Sequence, residues 1–167
     1  GGSTLGGQTS TGTPDTTLED ILKLAAEGWP VVLVHGGGNA INGLLKQLGQ
    51  EPRFQNGLRV TDRPALDAAL MMLRGRINAE LVATINRVGQ GRGILALGLC
   101  GLDGRMLEAR RETAHGDIGF VGEITGVNPA VLDAALEKGF LPVVAPIGTA
   151  TDDPETGMYN INADNAA

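Results

Sequence analysis

The apolar positions of this chain follow two rhythms in turn. Over 17–27, Leu18, Ile21, Leu22, Leu24 and Ala25 recur at helical spacing, with Thr17 placed as a cap and Gly28 as the stop. Pro30 then opens Val31-Val32-Leu33-Val34, four apolar and mostly β-branched residues that predict a buried strand. After His35 come three glycines, 36 to 38, and at once a second helical run over 39–48. The Asn56-Gly57 pair, set between Arg53-Phe54-Gln55 and Leu58-Arg59-Val60, predicts a hairpin because both turn residues tolerate positive φ. A long helical pattern runs from about Pro64 to Val88, with Gly75 as the place where it would break.

The second half continues the alternation. Ile94 to Leu99 predicts a buried strand, Asp103-Gly104 a turn, and 105–111 a short strand partner. Residues 118–124 alternate as a strand or hairpin arm. Asn128 predicts the cap of a helix over 129–138, with Pro129 at its first position and Gly139 past its end. Residues 141–147 form one more apolar strand. Strand and helix in alternation predict an α/β layered domain with a largely parallel sheet and hairpins at its rim. Residues 1–16, rich in Gly, Ser and Thr, carry no period and read as a terminal loop.

Composition narrows the function. The 167 residues are 42% hydrophobic, enough for one core, and 26 glycines against 3% aromatics indicate many tight turns. A net charge of −6 argues against a nucleic acid or an anionic membrane as partner, though not against a small anion held locally. One cysteine, Cys100, excludes an internal disulfide framework and favours a reducing cytoplasm. No apolar run approaches the ~18–20 residues of a membrane span, and no signal-peptide pattern is present. The chain opens on Gly1-Gly2 rather than Met and ends on what looks like the first turn of a helix, so it is expected to be a fragment.

The glycine loop invites three phosphate-binding readings. A dinucleotide fingerprint fails, because Ile41 stands where the third glycine belongs. A Walker A loop fails as well, since Gly38 and Gly43 have the spacing but Leu44-Leu45 replace the lysine and hydroxyl. What is left is geometry alone. A strand end, three glycines and a helix start present backbone N–H groups and a helix dipole to an anion. A tight strand-to-helix turn with no ligand is the plainer alternative.

Six segments, in order, resemble the N-acetyl-L-glutamate kinases of the amino acid kinase superfamily. They are VVLVHGGGNAIN, PRFQNGLRVTD, LGLCGLDG, GFVGEITGVNP, LPVVAPIG and YNINADNAA, covering roughly 29–167, and Gly1-Gly2 fit as well. The resemblance implies a three-layer αβα sandwich on a mainly parallel sheet, of which 1–167 would be the incomplete, acceptor-binding N-terminal lobe. It implies transfer of the γ-phosphoryl group of ATP, with Mg, to the side-chain carboxylate of N-acetyl-L-glutamate in arginine biosynthesis. Gly1 and Gly2 would lie on the ATP side, Gly2, Gly37 and Gly38 would hold the moving phosphoryl, and Arg59 would take the substrate α-carboxylate. Asn160, Asn162 and Asp164 alternate with Ile161 and Ala163, so three polar groups face one way off an extended segment. Asn160 would bind the acetylglutamate, Asn162 would line the site, and Asp164 would organise the catalytic lysines, with a cap of the next helix at Asp164 as the plainer alternative. Those lysines and the nucleotide pocket would lie outside the chain, so the 167 residues alone are expected to be inactive. A homodimer or higher homo-oligomer in the cytoplasm is implied too. A kinase of a carrier-bound aminoadipate or glutamate is the nearest rival, and a non-catalytic small-molecule module the more distant one.

Other residues take plainer readings. Cys100 reads as a small buried hydrophobe. His35 and His115 lack metal-ligand spacing. Arg110-Arg111 and Asp152-Asp153 read as solvated turn charges, and Trp29 and Met71-Met72 as packing residues.

Overall fold

The computed structural model describes residues 16–167. Gly1, Gly2 and the reading of 1–15 as a loop lie outside the described residues.

The chain begins with α1 (Thr17–Ala26), whose first turn carries Glu19 and Asp20 against the positive helix end. Thr16, not Thr17, precedes the helix, and its hydroxyl donates to the Asp20 carboxylate at 3.1 Å. Then come β1 (Leu33–Val34), α2 (Gly38–Gln47) and the hairpin β2 (Phe54–Gln55) and β3 (Leu58–Arg59). Asn56 and Gly57 both have positive φ, 51° and 82°, as the dipeptide predicts. Asp62 caps α3 (Arg63–Leu70), its carboxylate accepting from the Ala65 N–H at 3.1 Å, with Pro64 in the first turn. Gly75 does not break the long helix. Met71–Ile77 instead winds as a π-helical segment and passes directly into α4 (Asn78–Gly89).

Next are β4 (Leu95–Cys100), β5 (Leu107–Arg111), β6 (Val121–Val127) and α5 (Ala130–Glu137), where the Asn128 carboxamide accepts from the Ala130 N–H at 3.2 Å. The chain closes with β7 (Phe140–Ala145), β8 (Ile147–Ala150), β9 (Met158–Ile161) and the short α6 (Ala163–Ala166). Pro146 divides the predicted single strand 141–147 between β7 and β8.

The parallel sheet has the order β1-β7-β4, with Leu33 beside Val143 and Leu99 beside Val144. Side chains of β7 alternate between two cores. Leu141 and Val143 meet Leu18, Leu22 and Ile85 of α1 and α4, while Val144 joins a cluster flanked by Val131 and Leu132 of α5. Helix, sheet and helix thus form three layers, as expected.

The β2–β3 pair is a rim hairpin as expected, but four other strands depart from that expectation. β5, β6, β9 and β8 close on one another as a small barrel, with antiparallel β5–β6 and β8–β9 pairs joined by parallel β5–β8 and β6–β9 pairs. Alternation along a single strand cannot reveal which neighbour it pairs with, so closure was invisible in the sequence. A third core, of Ile41, Leu45, Ala65, Ala69, Met72 and Leu73 with Ile147, seats α2 and the π-helical turn against the start of β8.

Several individual expectations change. Residues 31–34 are only half-buried, and β1 is two residues long; among the described residues it stands at an edge of the three-stranded sheet. β4 is the other edge, and it leaves Leu95 and Leu97 exposed instead of buried. Trp29 is 62% exposed and packs into no core, and Met71 is exposed while Met72 is buried. Arg110 and Arg111 lie on β5, not in a turn. Arg110 forks onto Glu123 across the β5–β6 pair, and the Arg111 N–H donates to Asp152, which also accepts from the Tyr159 hydroxyl at 2.9 Å. Cys100 is fully buried at the end of β4, as predicted.

Candidate active site

The C-terminal end of β1 opens into a cavity of about 460 Å³, within the size range of small-molecule sites. Gly36, Gly37 and Gly38 form one wall, Phe54, Leu58 and Arg59 of the hairpin another, and Asn160, Asn162 and Asp164 a third. Five residues singled out from sequence on three separate segments, together with Asp164, therefore meet in one place. Gly1 and Gly2 lie outside the described residues.

The glycine wall comes directly off the sheet. The His35 N–H still bonds Val144 O at 3.2 Å, and the first helical bond of α2 runs from the Ile41 N–H to Gly37 O at 3.0 Å. The N–H groups of Gly38, Asn39 and Ala40 therefore have no acceptor within the helix, as at any α-helix start. The three glycines differ in what they exclude. A Cβ at Gly36 or Gly38 would find only ordinary contacts, Ala163 Cβ at 3.7 Å and Arg59 Nη2 at 3.9 Å. At Gly37 it would overlap Ile77 Cδ1 and approach Leu73 Cδ2 to 2.8 Å. Protein packing by itself requires the middle glycine.

Arg59 is 8% exposed although it sits on a two-residue strand. Its Nη2 donates to Gly38 O at 3.1 Å, its guanidinium lies 4.9 Å from the centroid of the Phe54 ring, and its Nη1 is buried with no partner. Burial lowers its pKa, but a guanidinium stays charged at any physiological pH. A buried cation with an unused donor, facing a cavity, is built for an anionic oxygen.

The hairpin that carries it is rooted by Thr61, which sequence reasoning missed. Thr61 is fully buried; its N–H donates to Ile118 O at 2.9 Å and its carbonyl accepts from the Phe120 N–H at 2.7 Å. Its hydroxyl donates to Arg59 O at 3.0 Å and accepts from Asn160 Nδ2 at 3.5 Å. Nothing local in the sequence marks Thr61, because its partners lie far along the chain. Asn160 is held on β9 by its own N–H to Phe120 O at 3.0 Å.

The predicted alternation of Asn160, Asn162 and Asp164 stops at β9. Asn162 caps α6, its carboxamide oxygen accepting from the Asp164 N–H at 2.8 Å, so Asp164 belongs to a helical turn and is exposed. The cap is Asn162, not Asp164.

His35 is 3% exposed, and burial pushes its pKa down. Its Nδ1 lies 3.1 Å from Gly36 O and its Nε2 lies 3.1 Å from Asn78 Nδ2. Asn78 is a second missed residue. It starts the helical stripe 78, 82, 85, 89 that faces the sheet, and a polar residue on such a stripe is the signal that could have found it. The lowered pKa of His35 has a definite pH consequence. As pH falls through the ordinary histidine value of about 6.5, the unfolded chain gains a proton that the folded chain refuses, so stability is lost there. His35→Gln should flatten the stability profile below about pH 6.5, and denaturant melts of both proteins at stepped pH would reveal it.

Among the described residues, no group of three or more His, Cys, Asp or Glu side chains is placed to hold a metal ion. None of the helices described is long and apolar enough to cross a membrane.

Residues 1–167 match the amino acid kinase family. Acetylglutamate kinases of a Thermoanaerobacter strain and of Nostoc punctiforme are 47% and 48% identical to the chain over 150 and 154 residues. Those alignments cover 90% and 92% of this chain but 48% and 49% of the relatives. The chain thus spans about half the length of the curated relatives it matches. Among solved structures, the smu.665 protein of Streptococcus mutans superposes with a TM-score of 0.70 at 28% identity, covering 90% of this chain and 58% of that one. The N-acetylglutamate synthase of Neisseria gonorrhoeae, complexed with coenzyme A and N-acetyl-glutamate, superposes with a TM-score of 0.62 at 24% identity, over 89% of this chain and 34% of that one. At that identity the likeness is one of fold alone.

Proposed function

The chain belongs to the amino acid kinase family, and from that premise we propose that its full-length protein is an acetylglutamate kinase. It transfers the γ-phosphoryl group of ATP to the side-chain carboxylate of N-acetyl-L-glutamate, giving N-acetylglutamyl 5-phosphate for arginine biosynthesis. A carboxylate oxygen attacks the γ-phosphorus, the bond to the bridging oxygen breaks, and ADP leaves. Residues 1–167 are the acceptor-binding N-terminal lobe of that enzyme.

One observation carries the reading: the buried Arg59 guanidinium, tied to the glycine loop at Gly38 O and with its Nη1 unpartnered, lines the same cavity as that loop. Arg59 takes the α-carboxylate of the acceptor in a charge-assisted bond. Asn160 on β9 and Asn162 at the cap of α6 orient the rest of the acceptor. The N–H groups of Gly37 and Gly38, with the dipole of α2 behind them, meet the phosphoryl group as charge builds on its oxygens. Asp164, exposed at the rim, is positioned for the lysines that the family resemblance supplies, and Gly1 and Gly2 belong to the ATP side. Magnesium neutralises the ATP phosphates when bound; the described residues contain no ligand cluster for it. A homodimer or higher homo-oligomer rests on the resemblance alone.

The full-length protein, given ATP, Mg and N-acetylglutamate in the presence of hydroxylamine, should yield the hydroxamate of the acyl phosphate. Product from a carrier-bound aminoadipate and none from N-acetylglutamate would replace this reading with its nearest rival.

A further inference from the structure

Two adjacent residues support the glycine loop from behind. Ile77 and Asn78 stand at the seam where the π-helical segment passes into α4, and such segments concentrate at functional sites. Ile77 Cδ1 fills the space on which a side chain at Gly37 would project, with Leu73 beside it. Asn78, 4% exposed, sends its amide nitrogen to Val143 O at 2.8 Å, Leu99 O at 3.3 Å and His35 Nε2 at 3.1 Å. Gly98 leaves room for its carboxamide oxygen, which a Cβ at that position would overlap.

This arrangement fixes a proton. A carbonyl oxygen only accepts, so the contact to Gly36 O puts the hydrogen on His35 Nδ1 and leaves Nε2 as an acceptor toward the Asn78 amide, whose two hydrogens are shared among three acceptors. That hydrogen goes to Gly36 O, 3.1 Å away. In a trans peptide the carbonyl and the following N–H point in opposite directions. Holding the Gly36 carbonyl on the imidazole therefore turns the Gly37 N–H away from it.

We propose that Asn78, acting through the His35 ring, and Ile77, acting by direct contact, are positioning residues that aim the Gly37 N–H at the transferring phosphoryl group. The proposal rests on the acetylglutamate kinase reading of this cavity. It assigns the polar node at Asn78 to the chemical step, not to acceptor binding, because Arg59 and Asn160 are reached by neither residue.

Two substitutions at His35 separate positioning from mere packing. In His35→Asn the amide stands near the place of Nδ1 and can still donate to Gly36 O; in His35→Gln it stands near Nε2 and keeps only the Asn78 contact. In the full-length enzyme, His35→Gln should lower kcat about a hundredfold, the scale of one misdirected backbone donor. The KM for N-acetylglutamate should stay within about threefold. His35→Asn should retain about ten times more kcat than His35→Gln. The reverse order, or a loss appearing equally in acceptor KM, overturns the proposal.

A second cycle does not depend on the fold tolerating those changes. Gly37→Ala should depress kcat, and adding Ile77→Val, which removes the overlapping methyl, should recover about tenfold of it. A double variant no better than Gly37→Ala removes Ile77 from the assignment. An unsubstituted enzyme that makes no acyl phosphate from N-acetylglutamate overturns the parent reading, and this inference with it. An active enzyme with the His35 order reversed overturns the inference alone.

Discussion

Replacing Arg59 by alanine in the full-length enzyme should raise the KM for N-acetylglutamate by about 30-fold to several thousand-fold, with the KM for ATP nearly unchanged. The magnitude follows from truncating a charge-assisted, buried contact, which costs on the order of 2–5 kcal/mol of binding. The guanidinium is buried against Phe54 and tied by only one of its ends, to Gly38 O, so the other is free to meet an anionic oxygen. Alanine would remove that donor and the ring contact together. Lysine should recover little, because a single ammonium cannot bond Gly38 O and a carboxylate in the fixed fork that Arg59 offers. Steady-state kinetics varying each substrate in turn decides the matter. Equal rises in both KM values would take Arg59 out of the acceptor site.

The 167-residue chain by itself, supplied with ATP, Mg and N-acetylglutamate, should give no turnover above background. A phosphoryl group in transfer spreads negative charge over its oxygens and needs full positive charges around it. Among the described residues the cavity is lined by one permanent cation, Arg59, and by a histidine whose burial favours its neutral form. The chain's three lysines are elsewhere: Lys23 on α1, Lys46 on α2, and Lys138 just past α5. None lines the cavity. Doing without the two lysines that the family resemblance implies should cost several kcal/mol, many thousand-fold in rate at about 1.4 kcal/mol per decade. Acyl phosphate made by the isolated chain would show that the residues described already contain the catalytic charges.

Much of the architecture was legible because it depends on local pattern. The strand-glycine-helix transition at β1 and α2, the Asn56-Gly57 turn and the helix after Asn128 follow from periodicity and turn chemistry. The grouping of Gly37, Gly38, Arg59, Asn160 and Asn162 came from motif resemblance, not from spacing, since three distant segments have to meet to form it. What escaped was long-range or angular. The barrel of β5, β6, β9 and β8 needs knowledge of partners that no single strand carries. Asp164 left the expected alternation because the carboxamide of Asn162 caps a helix there, a competition between extended and helical backbone that the alternation of residue types concealed. The three consecutive glycines were legible, but the cause at position 37 was not. A Cβ at Gly36 or Gly38 would find only ordinary contacts, whereas Ile77 and Leu73 forbid a side chain at Gly37 from inside the protein.

Thr61 has an entropic consequence for recognition. A hairpin of two-residue strands ending in an exposed turn would ordinarily have to surrender much of its freedom when a ligand engaged it, and that loss would be subtracted from affinity. Here the residue two places beyond Arg59 is stitched through main-chain bonds to Ile118 and Phe120, and through its hydroxyl to Arg59 O and to Asn160. The arginine therefore reaches the cavity already ordered by a root in the barrel, while Asn56 and Gly57 at the tip remain exposed. The same root links Arg59 and Asn160, so loosening it would disorder two walls of the cavity at once, and a ligand gripping either wall would tighten the other.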